Sequence, residues 1–415
     1  MQADAGRKYR LYPTPEQADR LTGWGHTSRA IWNVALEQRE FLWSQRRITH
    51  NAIDQSVELT AIRAELDWVR DLPAQCGQQV LRHLDQAFKN FWNPRLPAGH
   101  PTRKRKHDKL TVAFPGQAVQ VRRLSRRWAV VRLPKIGEVR FRWSRDLGGT
   151  VRNATVSQDG LGWHVGFGVA AGVRPAGRHD RPGTAVGLDR GVVVAVVDSD
   201  GHLHHREFCT AREQARKAAL QRQAARQEWA RKRTAAKTSQ RARRVRAAVA
   251  RIDARTARRR GDFAVQLAHR LADRYELIGV EALQIGSMTK SAKGTVDKPG
   301  RNVAQKSGLN RVVLDKGWYR FEQALRHQAR RTGSTVVRVP AAFTSQRCAA
   351  CGHVAAENRE SQAVFACVAC GHAAHADLNA AMNIRDLAVA STAGRAGLGL
   401  RKPPQGAAST TGTAA

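Results

Sequence analysis

The sequence predicts an α+β protein built from several domains. Helical periodicity fills residues 14–92, short alternating segments follow to about residue 170, and a long basic helical stretch then separates two short apolar segments. Four of the six cysteines are crowded into one stretch near the C-terminus. The chain has 415 residues, and at about 150 residues per domain this length predicts about two to four domains.

The N-terminal segment "KYRLYPTPEQ" (8–17) predicts a short strand followed by the start of a helix. Thr14, with Gln17 three residues later, has the pattern of a capping box, in which two side chains satisfy free backbone N–H groups. Apolar residues at helical spacing then continue to about residue 92, for example Val80, Leu84 and Phe88. We therefore predict a helical module over residues 14–93.

After this module the hydrophobic pattern changes from helical spacing to short alternating segments. Pro and Gly separate short alternating segments such as "WAVVRL", "EVRFRW" and "WHVGFGV", which predict the antiparallel strands of a small β-domain. If the strand at 8–12 joins this sheet, the β-domain comprises residues 1–13 and 94–175, and the helical module is inserted in it. Residues 172–183 have the composition of a linker.

A hairpin over residues 185–207, with Ser199, Asp200 and Gly201 at its turn, is expected to precede a helical stretch over 211–275. Residues 211–260 contain 18 Lys and Arg against three acids, while Val245, Val249 and Ile252 keep an apolar stripe. Such a run is usually a solvated helix face, but an excess of this size favours contact with nucleic acid.

The C-terminal part alternates short strands and helices. "YELIGVEAL" (275–283) predicts a strand that ends at Glu281, and a helix and the strand "STVVRVP" follow it. After the cysteine-rich stretch over 344–372, "ADLNAAMNIRDLAV" predicts a last helix. Residues 387–415 are mostly Ala, Gly, Ser and Thr, and we expect them to be disordered.

The overall charge points to a polyanionic partner. Lys and Arg number 71 against 34 Asp and Glu, which gives a net charge of +37 and an isoelectric point near 11.4. Nucleic acid is the usual partner for such a chain. A membrane partner would require an amphipathic anchor or about 20 apolar residues in a row, whereas the longest obvious apolar run is 192–197. The N-terminus has no apolar secretory segment, so we expect a cytoplasmic protein without a membrane partner.

The clustered cysteines have the spacing of a structural metal site. Cys348 and Cys351 form one C-x-x-C pair, and Cys367 and Cys370 form a second after 15 intervening residues. This spacing predicts a four-cysteine ribbon holding one structural Zn²⁺. Reduced, buried cysteines are the alternative. His353 and His372 could also replace a thiolate, although packing or nucleic-acid contact suits them better.

Three acids stand at element boundaries: Asp189 on the first strand of the hairpin, Glu281 at a strand end, and Asp377 at the start of the last helix. A ribonuclease-H-like fold brings such acids to one sheet edge. Carboxylates this close repel each other unless cations lie between them, which predicts Mg²⁺. Two ions about 4 Å apart would support phosphodiester hydrolysis. Taken singly, each acid could equally be a hairpin, strand-end or helix N-terminal charge.

These residues carry a resemblance to a known family. "GLDRGV", "GVEAL", "SGLNRVVLDKGWYRFEQAL", "FTSQRCAACGH" and "HADLNAAMNI" resemble the RuvC segments, zinc finger and intervening helix of TnpB, the OrfB-type transposon-encoded proteins that resemble ancestors of type V CRISPR effectors. "KYRLYPTPEQ" and "LDQAFKNFW" resemble its N-terminal region. The resemblance spans about residues 7–386.

The resemblance implies a transposon-encoded, RNA-guided DNA endonuclease. A guide RNA from the transposon end would pair with double-stranded target DNA beside a short adjacent motif, and one RuvC site would cut the strands. Asp189, Glu281 and Asp377 match the family's catalytic Mg²⁺ ligands, and Cys348, Cys351, Cys367 and Cys370 match its zinc ligands.

The resemblance also implies a domain assignment. The helical module becomes a recognition lobe inserted in a wedge, barrel-like β-domain, and residues 183–343 and 373–386 form a RuvC-like nuclease domain interrupted by the zinc ribbon at 344–372. The bacterial protein would then associate with the nucleoid when bound to DNA, and its basic helices would line the heteroduplex channel.

Two alternatives stay open. A guide-dependent DNA-binding protein or repressor would bind without cutting, although such relatives usually lose one of the three acids. The second alternative is a transposase or a transposition accessory protein, but "HLHH" (202–205) resembles a His-rich motif only weakly. One departure from the family is Arg190, which places a cation beside the first acid; on a strand it should point to the opposite face.

Overall fold

The computed structural model describes residues 5–96, 98–106, 108–172, 177–235, 237–295, 297–361 and 363–397. The chain divides into two compact units, a first unit of residues Met1–Val173 with Ala211–Arg255 and a second unit of Arg174–Thr210 with Thr256–Ala415. In the described part of the chain, no helix is both long and apolar enough to cross a membrane.

The first unit begins with a strand and a helical module, as the sequence predicts. The elements are β1 (Ala5–Tyr12), α1 (Pro15–Arg46), α2 (Ala52–Glu65), α3 (Asp67–Asp71) and α4 (Ala74–Trp92). The capping box at the start of α1 is confirmed, because Thr14 accepts from the backbone N–H of Gln17 and the Gln17 side chain accepts from the N–H of Thr14. The helices bury Leu21, Leu36 and Leu84 almost completely.

A seven-stranded antiparallel sheet completes the β-rich part of this unit. Its other strands are β2 (Thr111–Pro115), β3 (Gln120–Arg123), β4 (Trp128–Leu133), β5 (Gly137–Arg142), β6 (Thr150–Asp159) and β7 (Gly162–Ala170). The strand order is β2-β6-β7-β1-β5-β4-β3. Because β1 pairs with β7 on one side and β5 on the other, the prediction that the helices interrupt this sheet is confirmed.

The basic stretch forms two helices, α5 (Ala211–Thr234) and α6 (Gln240–Arg274). The predicted apolar stripe is present, with Val245 and Ile252 buried. Residues 211–255 group with the first unit, whereas the sequence assigned all of 211–275 to the nuclease domain. The reason is a close backbone approach: a Cβ on Gly160, in the turn between β6 and β7, would lie 2.0 Å from the carbonyl oxygen of Ala250 in α6.

The second unit contains a five-stranded sheet. Its strands are β8 (Ala185–Asp189), β9 (Val196–Asp198), β10 (Leu203–His204), β11 (Leu277–Glu281) and β12 (Thr335–Val339), in the order β10-β9-β8-β11-β12. β8, β11 and β12 are parallel, and β9 and β10 are antiparallel to their neighbours. The predicted valine-rich strand is shorter than expected, because β8 ends at Asp189 and Val193 is 63% exposed in the connecting loop.

The second unit also contains α7 (Ile285–Met288), α8 (Val303–Lys316), α9 (Trp318–Thr332) and α10 (Ala376–Gly397), of which α9 and α10 pack against this sheet. The sequence predicts a single helix before the strand "STVVRVP", but the structure has two helices there, α8 and α9. The break lies at Gly317, which adopts a left-handed conformation with φ of 69°. Val186, Leu188, Ile278 and Val280 pack into one core with the apolar faces of α6 and α9.

The last helix is longer than the sequence predicts. The prediction of disorder from residue 387 is wrong for 387–397, which continue α10. Alanine favours helix, and Ala388 is buried against Val339 and Ile384. The remainder of the predicted tail, 398–415, lies outside the described residues, as do residues 1–4 of the predicted β-domain. Between β12 and α10, β13 (Val364–Ala366) and β14 (Ala373–His375) form a small hairpin.

Candidate active site and metal centre

Two of the three predicted acids lie at matching positions on neighbouring parallel strands. β8 ends at Asp189 and β11 ends at Glu281. Leu188 pairs with Val280 in the register, so the two acids come next at the same edge of the sheet. Asp189 is half-buried and Glu281 is 8% exposed.

A pair of glycines lets α10 lie directly on these strands. Gly187 and Gly279 are register partners. A Cβ on Gly187 would lie 2.0 Å from the carbonyl oxygen of Ala381, and one on Gly279 would lie 2.8 Å from that of Ile384. Because alternate residues of a strand share a face, the face that contacts α10 is also the face of the two acids.

The third acid, Asp377, reaches the same edge from the first turn of α10. Its Oδ2 lies 3.7 Å from the position of a Cβ on Gly191, two residues after Asp189. A carboxylate in the first turn also interacts favourably with the helix dipole. The structure therefore places all three sequence-predicted acids at one edge of the sheet.

Burial disfavours the charged forms of two acids at this edge. Burial, together with the nearby Glu281 and Asp377, raises the pKa of Asp189 from 3.8 to about 7. Burial also raises the pKa of Glu281, against the opposing effect of a hydrogen bond from Thr344. A cation bound beside such carboxyls would favour their ionised forms.

Sequence reasoning missed two groups that contact the acids. The hydroxyl of Thr344 donates to Glu281 Oε1 at 3.0 Å. The Arg359 guanidinium has Nη2 3.9 Å from Asp377 Oδ1 and lowers the pKa of Asp189 and Glu281. Both residues lie in the cysteine-rich stretch 344–372, in which the sequence analysis identified only the cysteine spacing of a metal site.

Two buried asparagines of α10 hold the Thr344 loop in place. Asn383 donates to the carbonyl oxygens of Thr344 (3.0 Å) and Arg347 (2.7 Å). Asn379 donates to the carbonyl of Arg347 and accepts from the N–H of Ala349. The sequence signal is two Asn residues four apart in an apolar helix, which places both on one face.

The side chain of Arg190 forms an ion pair with Glu322 and does not pair with the carboxylates of Asp189, Glu281 or Asp377. β8 ends before it, and its side chain is fully buried, with Nη1 3.2 Å from Glu322 Oε2. It also donates to the carbonyl oxygen of Glu281. Glu322 contacts Arg326 and Arg338 as well. The cation beside Asp189 is therefore part of a buried ionic cluster.

The four cysteines converge as predicted. Of the residues that the structure describes, they form the one group of three or more metal-ligating side chains whose ligand atoms all lie within 4.8 Å of one another. The three carboxylates are spaced more widely than this limit. His353 and His372 do not belong to the group. The four thiolates can hold one zinc ion.

Each cysteine pair sits on a tight turn. The N–H of Gly352 donates to the carbonyl of Cys348, and the N–H of Gly371 donates to that of Cys367, both at 2.9 Å. Both glycines have a left-handed conformation, with φ of 77° and 70°, which is the reason a glycine follows each pair.

Two histidines of the "HLHH" motif, His202 and His204, form a hydrogen-bonded cluster with Asp198. Asp198 is buried and lies 2.8 Å from His204 Nε2 and 3.1 Å from His202 Nδ1. Asp200 accepts from the Tyr275 hydroxyl at 2.5 Å. Asp198 and Asp200 therefore both have hydrogen-bonding partners within the second unit.

Family comparisons agree with this organisation. A helix-turn-helix domain model of the OrfB_IS605 type matches residues 1–47, a model described as a probable transposase (OrfB_IS605) matches 170–292, and a Cas12f1-like TNB domain model matches 318–384. The first match covers β1 and a single helix, α1, in this chain.

The chain is also similar to whole proteins. It is 34% identical to InsQ of Escherichia coli (strain K12), which carries the name RNA-guided DNA endonuclease, over 91% of this chain and 90% of that protein. A Streptomyces pristinaespiralis protein with the same name is 31% identical over 98% of this chain and 93% of its own length. The fold is similar to that in a Cas12f1–sgRNA–target DNA complex, with a TM-score of 0.54 at 14% identity over 90% of this chain and 83% of that one. The chain belongs to the TnpB family of OrfB-type proteins.

Proposed function

We propose that this protein is a transposon-encoded, RNA-guided DNA endonuclease that cuts target DNA beside a short adjacent motif at a single site. The observation that carries this proposal is geometric: Asp189 and Glu281 end neighbouring parallel strands, and Asp377 in the first turn of α10 reaches the same edge of the sheet. The names of two relatives, each matched over at least nine-tenths of its length, support the same activity.

The second unit supplies the nuclease in this proposal. Three parallel strands, two antiparallel strands and a helix packed across the paired glycines resemble the arrangement of a RuvC, ribonuclease-H-like domain. We assign residues 183–343 and 373–386 to this domain, with 211–255 as the part of that range that groups with the first unit. Residues 344–372 form the zinc ribbon, 14–93 the recognition lobe, and 1–13 with 94–175 the wedge domain in this proposal.

Asp189, Glu281 and Asp377 would hold Mg²⁺, a hard cation that takes carboxylate oxygens as ligands and is suited to phosphoryl chemistry. Two ions would activate a water and stabilise the leaving oxygen of the phosphodiester. The chain's own contribution is positioning: the sheet register fixes Asp189 beside Glu281, α10 delivers Asp377, and Thr344 fixes one oxygen of Glu281.

The zinc site has a structural role in this scheme. Cys348, Cys351, Cys367 and Cys370 leave no open coordination position for substrate. The loop that carries the first pair also carries Thr344, and α10 begins directly after β14. The metal would therefore fix the geometry of two segments that reach the acids.

The basic helices would bind the nucleic acids. No residue of α5 is buried, so its basic side chains lie at the protein surface, although Lys217 and Arg231 pair with acids. A guide RNA derived from the transposon end would pair with one strand of double-stranded target DNA, while the protein contacts the heteroduplex backbone.

The test is to express the protein with its flanking transposon DNA, sequence the RNA that co-purifies, and incubate the complex with a plasmid carrying the matching target. We expect a discrete RNA species and cleavage that requires Mg²⁺. Guided binding without cleavage would instead indicate a repressor, and co-purification of unrelated RNA fragments would contradict guided recognition.

A further inference from the structure

An aromatic cavity lies in the helical module, remote in sequence from the three acids. Its volume is about 560 Å³, and it is lined mainly by side chains of α1, α4 and the segments that follow them. The lining includes Arg39, Trp43, Phe88, Phe91, Trp92 and His100. All of these residues belong to the first unit.

The cavity has an aromatic wall that the protein core does not cover. The rings of Phe88 and Trp92 have centroids 5.3 Å apart, and His100 meets Phe88 edge-on at 5.4 Å. Trp43 is 50% exposed and Trp92 is 64% exposed. By contrast, the tryptophans Trp24 and Trp32 in the same module are buried in the core.

A buried cation in the cavity lining has an unused donor. The Arg39 side chain is 6% exposed, with Nε donating to Gln55 Oε1 at 2.9 Å and Nη1 lying 3.3 Å from Asp85 Oδ1. Its Nη2 is buried without a hydrogen-bond partner among the described residues. The guanidinium also lies over the Phe88 ring, 5.4 Å from its centroid, so it adds positive charge to the aromatic wall.

The rim of the cavity has one basic and one acidic side chain, Arg47 and Glu40. Arg47 lies over the ring of Trp43, 5.4 Å from its centroid. Glu40 also lines the cavity, with Oε1 3.7 Å from His100 Nδ1. A flat ligand that stacks on indole, accepts from a guanidinium and donates to a carboxylate matches these groups together.

We propose that this cavity binds one unpaired nucleobase. The base stacks against the exposed rings of Trp43 and Trp92, and an exocyclic amine can donate to Glu40 at the rim. The charge of +37 favours a nucleic-acid ligand over a peptide. The inference deepens the proposed function, because the base would come from the guide RNA or from an unpaired strand of the target.

The test uses the full-length protein and fluorescein-labelled single strands of about 12 nucleotides, in RNA and DNA forms, each with an abasic analogue of equal charge. Anisotropy is measured at about 0.3 M salt to weaken contacts made to phosphate alone. We expect the abasic analogue to bind wild-type protein about tenfold more weakly, and Trp43→Ala and Trp92→Ala to bind the intact strand about tenfold more weakly.

Trp68→Ala is the matched control, because Trp68 is 53% exposed in the same module but lines a different cavity. It should bind like wild type. An effect with RNA alone assigns the base to the guide, and an effect with DNA alone assigns it to the target.

Equal binding by Trp43→Ala, Trp92→Ala and Trp68→Ala would overturn the proposal, as would equal binding of intact and abasic strands. A fall in melting temperature without a change in binding would show that the aromatics serve packing or a protein partner, which also overturns it. The readout is binding alone, so it stays separate from whether the three acids cut DNA.

Discussion

Gly187 of β8 and Gly279 of β11 face each other across the parallel register, and together they form the surface on which α10 rests. With any side chain at Gly187, the helix would have to move away from the sheet, because the nearest atoms are backbone. The position of Asp377 relative to Asp189 therefore depends on two residues that have no side chain of their own.

Gly187→Ala should destabilise the second unit and abolish cleavage. The added Cβ would meet Ala381 oxygen at 2.0 Å and Arg385 nitrogen at 2.3 Å, and overpacking of this kind costs about 3 kcal/mol. Thermal unfolding measures the loss. Gly6→Ala is the control, since a Cβ on this β1 glycine meets nothing within 4 Å. Unchanged stability of Gly187→Ala would refute the close packing.

Asp189→Ala, Glu281→Ala and Asp377→Ala should each reduce cleavage by about 1,000-fold or more while leaving RNA-dependent DNA binding largely intact. The physical reason is that each removes one ligand of the proposed Mg²⁺ site. Plasmid cleavage and filter binding measure the two properties. Asp386→Asn, which changes an exposed acid of the same helix, should cut normally. Intact cutting by any one alanine variant would remove that residue from the site.

The metal-free protein should lose stability as the pH rises from about 4 to 7 through Asp189. This carboxyl has a folded pKa of about 7, above its ordinary value of 3.8. An acid with a raised folded pKa costs stability once the unfolded form can ionise, and the full cost is reached above the folded pKa.

Melting temperatures at pH 5 and pH 8 check this effect. Asp189→Asn should be more stable than wild type at pH 8, and the difference should shrink toward pH 5. Added Mg²⁺ should raise the wild-type melting temperature more at pH 8 than at pH 5. An equal Mg²⁺ effect on Asp189→Asn would argue against this carboxyl as a ligand.

The purified protein should carry about one tightly bound zinc ion per chain. Cys348→Ser and Cys367→Ser should lose the ion and unfold the ribbon, because each removes a thiolate ligand. Elemental analysis and circular dichroism measure the two effects. Cys209→Ser, outside the cluster, and His372→Ala should both keep the metal. Loss of zinc from His372→Ala would make this histidine a ligand.

Arg190→Met should destabilise the protein by about 3 kcal/mol, because it leaves the buried Glu322 with fewer cationic partners. Urea unfolding measures the change. Arg385→Met is the matched control, since Arg385 is partly exposed and pairs with an exposed acid, so its removal should cost less than about 1 kcal/mol. Increased cleavage by Arg190→Met would show instead that this cation restrains the acids.

Local patterns predicted the elements well. The capping box at Thr14 and the cysteine spacing each depend on residues a few positions apart, and the structure shows both. The grouping of Asp189, Glu281 and Asp377 came from their places at the boundaries of predicted strands and a helix, in an order typical of a ribonuclease-H-like fold, and the family resemblance agreed with it. No local pattern places them together, because the three acids lie far apart in the chain.

The remaining features arise from three-dimensional packing. Nothing near Thr344 in the sequence shows that its hydroxyl meets Glu281. The turn at Gly160 draws the first half of α6 into the first unit through a backbone contact that composition cannot reveal. Composition likewise failed at residues 387–397, because Ala-rich sequence is compatible with a helix once Ala388 has a surface to cover.

The chain order of the acid-bearing elements has a consequence during synthesis. During translation, α5 and α6 are synthesised between β8 and its pairing partner β11. Asp377 is synthesised only after the cysteine ribbon. Under the proposed roles, a partly translated chain holds nucleic-acid-binding helices but no complete set of acids. Under the same roles, nucleic-acid binding would become possible during translation before cleavage does.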